Sequence, residues 1–126
     1  FHSEVVHVQH VPAGEGIGYG STYVTPEPMT IATIPVGYAD GYPRSLSNRG
    51  TVLIHGTRCP VVGRICMDQF MVAVPDTITV KPGDKVVLLG SQGHESISAL
   101  EIAALASTIP YEIFCGFSER VPRQYI

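Results

Sequence analysis

Tryptophan is absent from the 126 residues, lysine occurs only at Lys81 and Lys85, and cysteine only at Cys59, Cys66 and Cys115. Each scarcity excludes something. Two lysines and six scattered arginines in a chain of net charge −3 leave no basic stripe for a phosphate backbone, which argues against a nucleic-acid partner. Three cysteines are an odd number without C-x-x-C spacing. They read as buried free thiols of a reducing, cytoplasmic compartment, not as a disulfide framework. No run of about 18 apolar residues is available to span a bilayer, and no signal-peptide pattern opens the sequence. The five histidines lack metal-ligand spacing. His7 and His10, three apart in a strand, point to opposite faces, so no metal site is expected. Charged residues make up only 15% against 44% apolar, enough to bury a core and too apolar for disorder.

Thirteen glycines and ten prolines punctuate short runs rich in Val, Ile and Thr. That pattern favours many short strands, and the expected fold is mostly β: one β-barrel-like domain over residues 1–126 with a single late helix. The sequence opens on Phe1, without Met, and enters a strand-like pattern at once, as expected of a fragment of a longer protein. Residues 4–11 alternate, with Val6 and Val8 on one face, and predict a half-buried strand. A turn cluster at 12–16 leads into Gly16 to Tyr23, extended but rich in glycine. Strands are expected at Thr30 to Val36, at 51–55 and 60–65 as a hairpin around His55-Gly56-Thr57-Arg58, and at Lys85 to Leu89 after the turn Lys81 to Asp84. An apolar run from Gly63 to Val74 carries Cys66-Met67-Asp68-Gln69 in its middle. Ser98-Ala99-Leu100-Glu101 has the capping-box pattern. With Ile102, Leu105, Ala106 and Ile109 on one face, it predicts an amphipathic helix over 98–109 stopped by Pro110. A last strand is expected from Tyr111 to Phe117.

Polar residues set in glycine-rich turns draw attention, because such turns place side chains with backbone precision. Tyr19 stands between Gly18 and Gly20. A phenol has a pKa of about 10, so a tyrosine acting as a base needs a neighbouring positive charge or a proton acceptor. The residues alone favour a core tyrosine with a satisfied hydroxyl. Tyr38 and Tyr42 bracket Ala39-Asp40-Gly41 and read as turn residues with their rings on the rim. Asp40 and Asp68 invite a carboxylate-pair reading, but an Asp before Gly is a common turn former and nothing in the sequence brings the two together.

Four segments resemble a known family. Ile17-Gly18-Tyr19-Gly20-Ser21-Thr22-Tyr23 is similar to the Y-G-x-T-Y segment of bacterial, pyridoxal-phosphate-dependent alanine racemases. Ile34-Pro35-Val36-Gly37-Tyr38-Ala39-Asp40-Gly41 resembles their I-P-[IV]-G-Y-A-D-G segment. Val62-Gly63-Arg64-Ile65-Cys66-Met67-Asp68-Gln69 resembles V-G-R-I-C-M-D-Q. Tyr111-Glu112-Ile113 through Cys115, with Arg120-Val121-Pro122-Arg123, is similar to the closing stretch. The order and spacing are the family's, and the four span nearly the whole chain. One departure is Gly18, where many relatives carry Ser before the tyrosine.

The resemblance implies the C-terminal β domain of such an enzyme, without the N-terminal barrel whose lysine holds pyridoxal 5′-phosphate. It implies a homodimer in which this domain completes the active site of the other subunit's barrel, with alanine as substrate. It makes Tyr19 the base for the L-isomer, opposite the cofactor lysine on the other face. The cofactor acidifies the substrate's Cα–H by accepting its electron pair, and inversion then needs two proton carriers on opposite sides. Met67 would meet the substrate carboxylate through its backbone N–H, and Tyr111 would contact the cofactor phosphate. Tyr38, Arg44, Arg64 and Asp68 would line the substrate entryway or its base; an ordinary domain-stabilising salt bridge is the other reading of Arg64. Two further functions stay open at this point. One is a serine or broad-specificity amino-acid racemase, membrane-anchored forms included, since a methyl-sized difference is worth only about 1–3 kcal/mol. The other is a non-catalytic β-barrel interaction module. The isolated chain is expected to be inactive.

Overall fold

The computed structural model describes residues 1–110, 112 and 113, with Tyr19 described by its backbone. Its strands are β1 His2–Glu4, β2 His7–Val11, β3 Gly16–Ile17, β4 Tyr23–Val24, β5 Met29–Ile34 and β6 Thr51–Ile54. They continue as β7 Thr57–Val62, β8 Phe70–Val74, β9 Lys85–Val87, β10 Gly90–Gln92 and β11 Glu95–Ile97, followed by the helix α1 Ala99–Leu105. The main sheet is antiparallel throughout, in the order β1-β9-β6-β7-β8-β5-β2.

The two ends of that order, β1 and β2, are separated in the chain only by Val5 and Val6. One extended segment thus borders both ends of the order, and the sheet curls into a half-barrel with that segment bridging its two ends. The expected strand over 4–11 is therefore two strands. At the switch, Val5 N–H donates to the Asp84 carbonyl and Val6 N–H to the Thr33 carbonyl, passing the chain from β9 to β5. The break also changes the alternation: Val5 and Val11 are buried, while Val6 is exposed and Val8 half-buried.

Inside the curl lies a core that includes Ile34, Val52, Leu53, Ile54, Val72 and Leu88. Tyr42 belongs to it, stacked on Phe70 with ring centroids 4.9 Å apart, so it is not the rim residue expected from its turn. A second, smaller cluster of Val11, Ile17, Ile31, Val62 and Ala73 carries Tyr23 and Met29 against it. It forms where the β3–β4 hairpin folds onto the sheet. The segment 16–23 is thus not one extended piece but a hairpin whose tip is a 3-10 turn at Tyr19–Ser21.

The hairpin of β6 and β7 turns at His55 and Gly56, both with positive φ (53° and 70°), the conformation of a tight two-residue turn. α1 starts as its cap predicts, with Ser98 Oγ accepting the Glu101 N–H at 3.1 Å. It ends earlier than expected. Ser107 takes a left-handed φ of 57°, Ile109 is exposed, and Pro110 begins a further helical turn that includes Glu112 and Ile113. The expected strand over 111–117 is therefore overturned at Glu112 and Ile113; its other residues, with Tyr111, Cys115 and Arg120 to Arg123, lie outside the described residues. Cys59 is a buried free thiol, and burial pushes its pKa up to about 11. Cys66 is only half-buried, because it stands in a loop rather than a strand.

Candidate functional site

Antiparallel pairing fixes which loops share an end of the sheet. Ile34 pairs with Phe70, Val62 with Met71, and Thr51 with Pro60. The loop after β5, the loop before β6 and the loop between β7 and β8 therefore stand together. The β3–β4 hairpin reaches the same end from outside. Thr25 holds its base: the Thr25 hydroxyl donates to the Pro12 carbonyl at 2.7 Å and accepts the Glu15 N–H at 2.9 Å. Its tip, with Tyr19, meets the turn at Gly63 and Arg64.

Close backbone approach makes these joints, and glycine permits it. Gly63 has φ 81°, and a Cβ there would stand 2.8 Å from the Ile17 carbonyl oxygen. Gly37 has an ordinary extended φ, so its need for glycine is one of space: a Cβ would overlap the carbonyl oxygens of Cys66 and Met67. Across that joint Tyr38 N–H donates to the Cys66 carbonyl at 3.0 Å and Ala39 N–H to the Met67 carbonyl at 3.1 Å. The Tyr38 and Met67 segments are thus tied backbone to backbone.

The structure brings most of the sequence-predicted residues to this end. Tyr19 lies on the hairpin tip, and the Arg64 guanidinium packs under the next residue, its Cζ 3.6 Å from a Cβ position at Gly20. Met67 and Tyr38 are both about half exposed, at 51% and 48%. Arg44 opens the 3-10 turn that follows Pro43 and is exposed, as is Asp68. Asp40 is turned inward, its carboxylate accepting the Gly37 N–H at 3.0 Å. Tyr111 lies outside the described residues.

Two residues that the sequence did not single out hold the loops in place. Ser47 Oγ accepts the Ile65 N–H at 2.8 Å and donates to the Arg44 carbonyl at 2.7 Å. Asn48 Oδ1 accepts the Gly63 N–H at 2.6 Å, and its Nδ2 donates to Thr22 Oγ1 at 3.2 Å. A left-handed φ of 59° at Asn48 makes this reach possible, a conformation Asn tolerates better than most residues. The only sequence signal was an Asn in a glycine-bounded turn; its partners, 15 and 26 residues away, leave no local trace.

Both lysines stand elsewhere. Lys81 is exposed and paired with Asp84 at 3.3 Å, and Asp84 also holds His55 at 2.9 Å. Lys85 opens β9, adjoining Val86, which pairs with Ile54 just before the His55 turn. That turn and the Gly63 turn are at opposite ends of β7, roughly 20 Å apart for six extended residues. Among the described residues no three of His, Cys, Asp and Glu stand together as a metal site, and no helix is long and apolar enough to cross a membrane.

The small curled β domain thus gathers close-packed loops at one end, with Tyr19 on the outermost. The sequence pattern of the family described as alanine racemase, C-terminal domain, matches residues 1–125, and the chain belongs to that family. It is 56% identical over 123 residues to an alanine racemase of Halothermothrix orenii, covering 98% of this chain and 32% of that protein. Its fold superposes with a TM-score of 0.94 on the crystal structure of alanine racemase from Bacillus anthracis with bound L-Ala-P. That pair is 48% identical, over 99% of this chain and 32% of the other. A third relative, alanine racemase from Bartonella henselae with covalently bound pyridoxal phosphate, gives a TM-score of 0.91 at 38% identity, over 99% of this chain and 34% of the other. The chain thus spans about a third of the length of the relatives it matches.

Proposed function

We propose that this chain is the substrate-facing C-terminal part of an alanine racemase that interconverts L- and D-alanine, with Tyr19 as the proton carrier for the L-isomer. The observation that carries this reading is the convergence of the segments 17–23, 34–41 and 62–69, distant in sequence, on one end of the sheet.

Pyridoxal phosphate is held through an amine, and neither lysine of this chain fits that role at this end of the domain. The resemblance to alanine racemases implies that the amine is a lysine of an N-terminal barrel, in a part of the protein outside these residues. When bound, the cofactor supplies an electron sink that acidifies the substrate's Cα–H. Tyr19 takes or returns the proton at that carbon on one face, and the barrel lysine serves the other. The backbone of Tyr19 lies in a short turn at the hairpin tip, next to the Thr22–Asn48 bond, which supports this reading. Met67 contributes its backbone N–H to the substrate carboxylate, a role for which the backbone tie of its loop to the 37–40 loop prepares it. Tyr38, Arg44, Arg64 and Asp68 surround the entryway, and Tyr111 contacts the cofactor phosphate. The exposure of Tyr38, Met67 and Arg64 in the domain supports a surface that a second body covers, here the barrel of a partner subunit in a homodimer.

The test is Tyr19→Phe in the full-length enzyme. Cofactor absorbance should persist while racemisation falls by roughly 10²–10⁴-fold, with Cα proton exchange from L-alanine losing more than exchange from D-alanine. Unchanged exchange from both isomers would remove Tyr19 from this role.

A further inference from the structure

We propose that Asn48 is a positioning residue for Tyr19, an inference that rests on the reading of Tyr19 as the proton carrier for the L-isomer. The Tyr19 turn touches the body of the domain through the backbone of Gly18, which abuts Gly63 and Arg64, and through Thr22 on its far side. Asn48 bonds both contacts at once. Its Oδ1 takes the N–H of buried Gly63 at 2.6 Å, its own N–H donates to the Gly63 carbonyl at 3.2 Å, and its Nδ2 reaches Thr22 Oγ1 at 3.2 Å.

Gly63 lies just past the end of β7, where φ 81° turns the chain out of the ladder. A buried N–H in such a place needs a partner from outside the sheet, and Asn48 is that partner. The same amide then uses its nitrogen to tie the hairpin. Ser47, its neighbour, takes the next N–H but one, at Ile65. Asn48 thus braces the distance between the Tyr19 turn and the Arg64–Met67 loop, beside the backbone packing of Gly18 on Gly63 and the Arg64 side chain under Gly20. Proton transfer at carbon depends steeply on that distance, a misplacement of about 1 Å costing on the order of a hundredfold.

Three variants of the full-length enzyme test this beside Tyr19→Phe. Asn48→Gly keeps the left-handed backbone accessible but deletes both side-chain bonds. Thr22→Val removes only the hairpin end, at an exposed site where folding is not at stake. Asn48→Asp keeps an acceptor for Gly63 and accepts the Thr22 hydroxyl, so it should rescue. Two quantities are read: amide hydrogen exchange at residues 18–22 and 63, and Cα proton exchange from each alanine isomer. Asn48→Gly and Thr22→Val should speed amide exchange at 18–22 and lower Cα exchange from L-alanine by about ten- to a hundredfold. Exchange from D-alanine should change much less, and Asn48→Asp should stay near the parent. If Tyr19→Phe abolishes L-side exchange while Asn48→Gly and Thr22→Val leave it and the amide protection intact, the inference is overturned and the reading of Tyr19 stands. Equal losses from both isomers would also overturn it, by showing general damage. If Tyr19→Phe itself leaves L-side exchange intact, the reading fails and the inference falls with it.

Discussion

The Asp84 carboxylate accepts the Lys81 N–H at 2.9 Å, lies 3.3 Å from the Lys81 ammonium and holds the His55 ring at 2.9 Å. These contacts, the backbone N–H foremost, keep its pKa below the usual carboxylate range. Because folding lowers that pKa, Asp84 contributes stability above its unfolded value of about 3.9 and loses it as pH falls from there through the lower folded value. Asp84→Asn should therefore melt at a lower temperature at pH 7, and the gap from the parent should close as thermal scans move down toward pH 3. A constant gap across that range would show that shape and not charge is what matters. At this scale the sequence revealed less than at any other. Lys81-Pro82-Gly83-Asp84 is readable as a turn, but the tie to His55 is not, since it spans 29 residues. Asn48 is hidden for the same reason. Tyr42 was misplaced on the rim because a turn signature says nothing about which ring finds an aromatic partner such as Phe70.

Among the elements, β11 and α1 bury Ile97, Ile102 and Ala103 in the main core, and Arg58 on β7 adds a polar tie to them at the surface. Its guanidinium bonds Glu95 at 2.9 Å, Glu101 at 2.8 and 3.1 Å, and the Ser96 carbonyl at 2.8 Å. Two carboxylates hold its charge firmly in place. The group is exposed, so its net worth is modest, roughly 0.5–1 kcal/mol for such a network. Arg58→Ala should lower stability in urea by that order and shrink to near nothing in 1 M salt, with racemisation in the full-length enzyme unaltered. A loss insensitive to salt would point to packing by the side-chain stem instead. Elements with local signals were legible: the β6–β7 hairpin around His55-Gly56, although its second strand runs Thr57–Val62 and not over 60–65, β5 from its apolar run, and the start of α1 from its cap. The end of α1 was not, because a serine in the left-handed region at Ser107 carries no sequence mark. The β10–β11 hairpin was missed outright; Gly90-Ser91-Gln92 and Glu95-Ser96-Ile97 lack the apolar alternation that announces a strand.

At the scale of the whole molecule, one extended segment with a two-residue jog bridges the two ends of the curled sheet, and no periodicity along the chain could disclose this, because both of its pairings are long-range. The curl in turn separates two ends with different inventories. One end holds the Tyr19, Tyr38, Arg64 and Met67 loops, and the other holds both lysines in a polar turn around Asp84. The central claim is that this domain is half of an active site, with the amine that holds pyridoxal phosphate coming from elsewhere in the protein. A Schiff base needs an amine whose surroundings favour the neutral form. Lys81 is exposed and paired with the Asp84 carboxylate, and Lys85 is exposed at the start of β9, so neither stands in an enclosed pocket. The most direct measurement is to incubate the 126-residue chain with pyridoxal phosphate, reduce with borohydride, map adducts by mass and assay alanine turnover on the same sample. The account predicts no specific adduct and no racemisation. A single adduct in good yield on Lys81 or Lys85, accompanied by interconversion of L- and D-alanine, would contradict it.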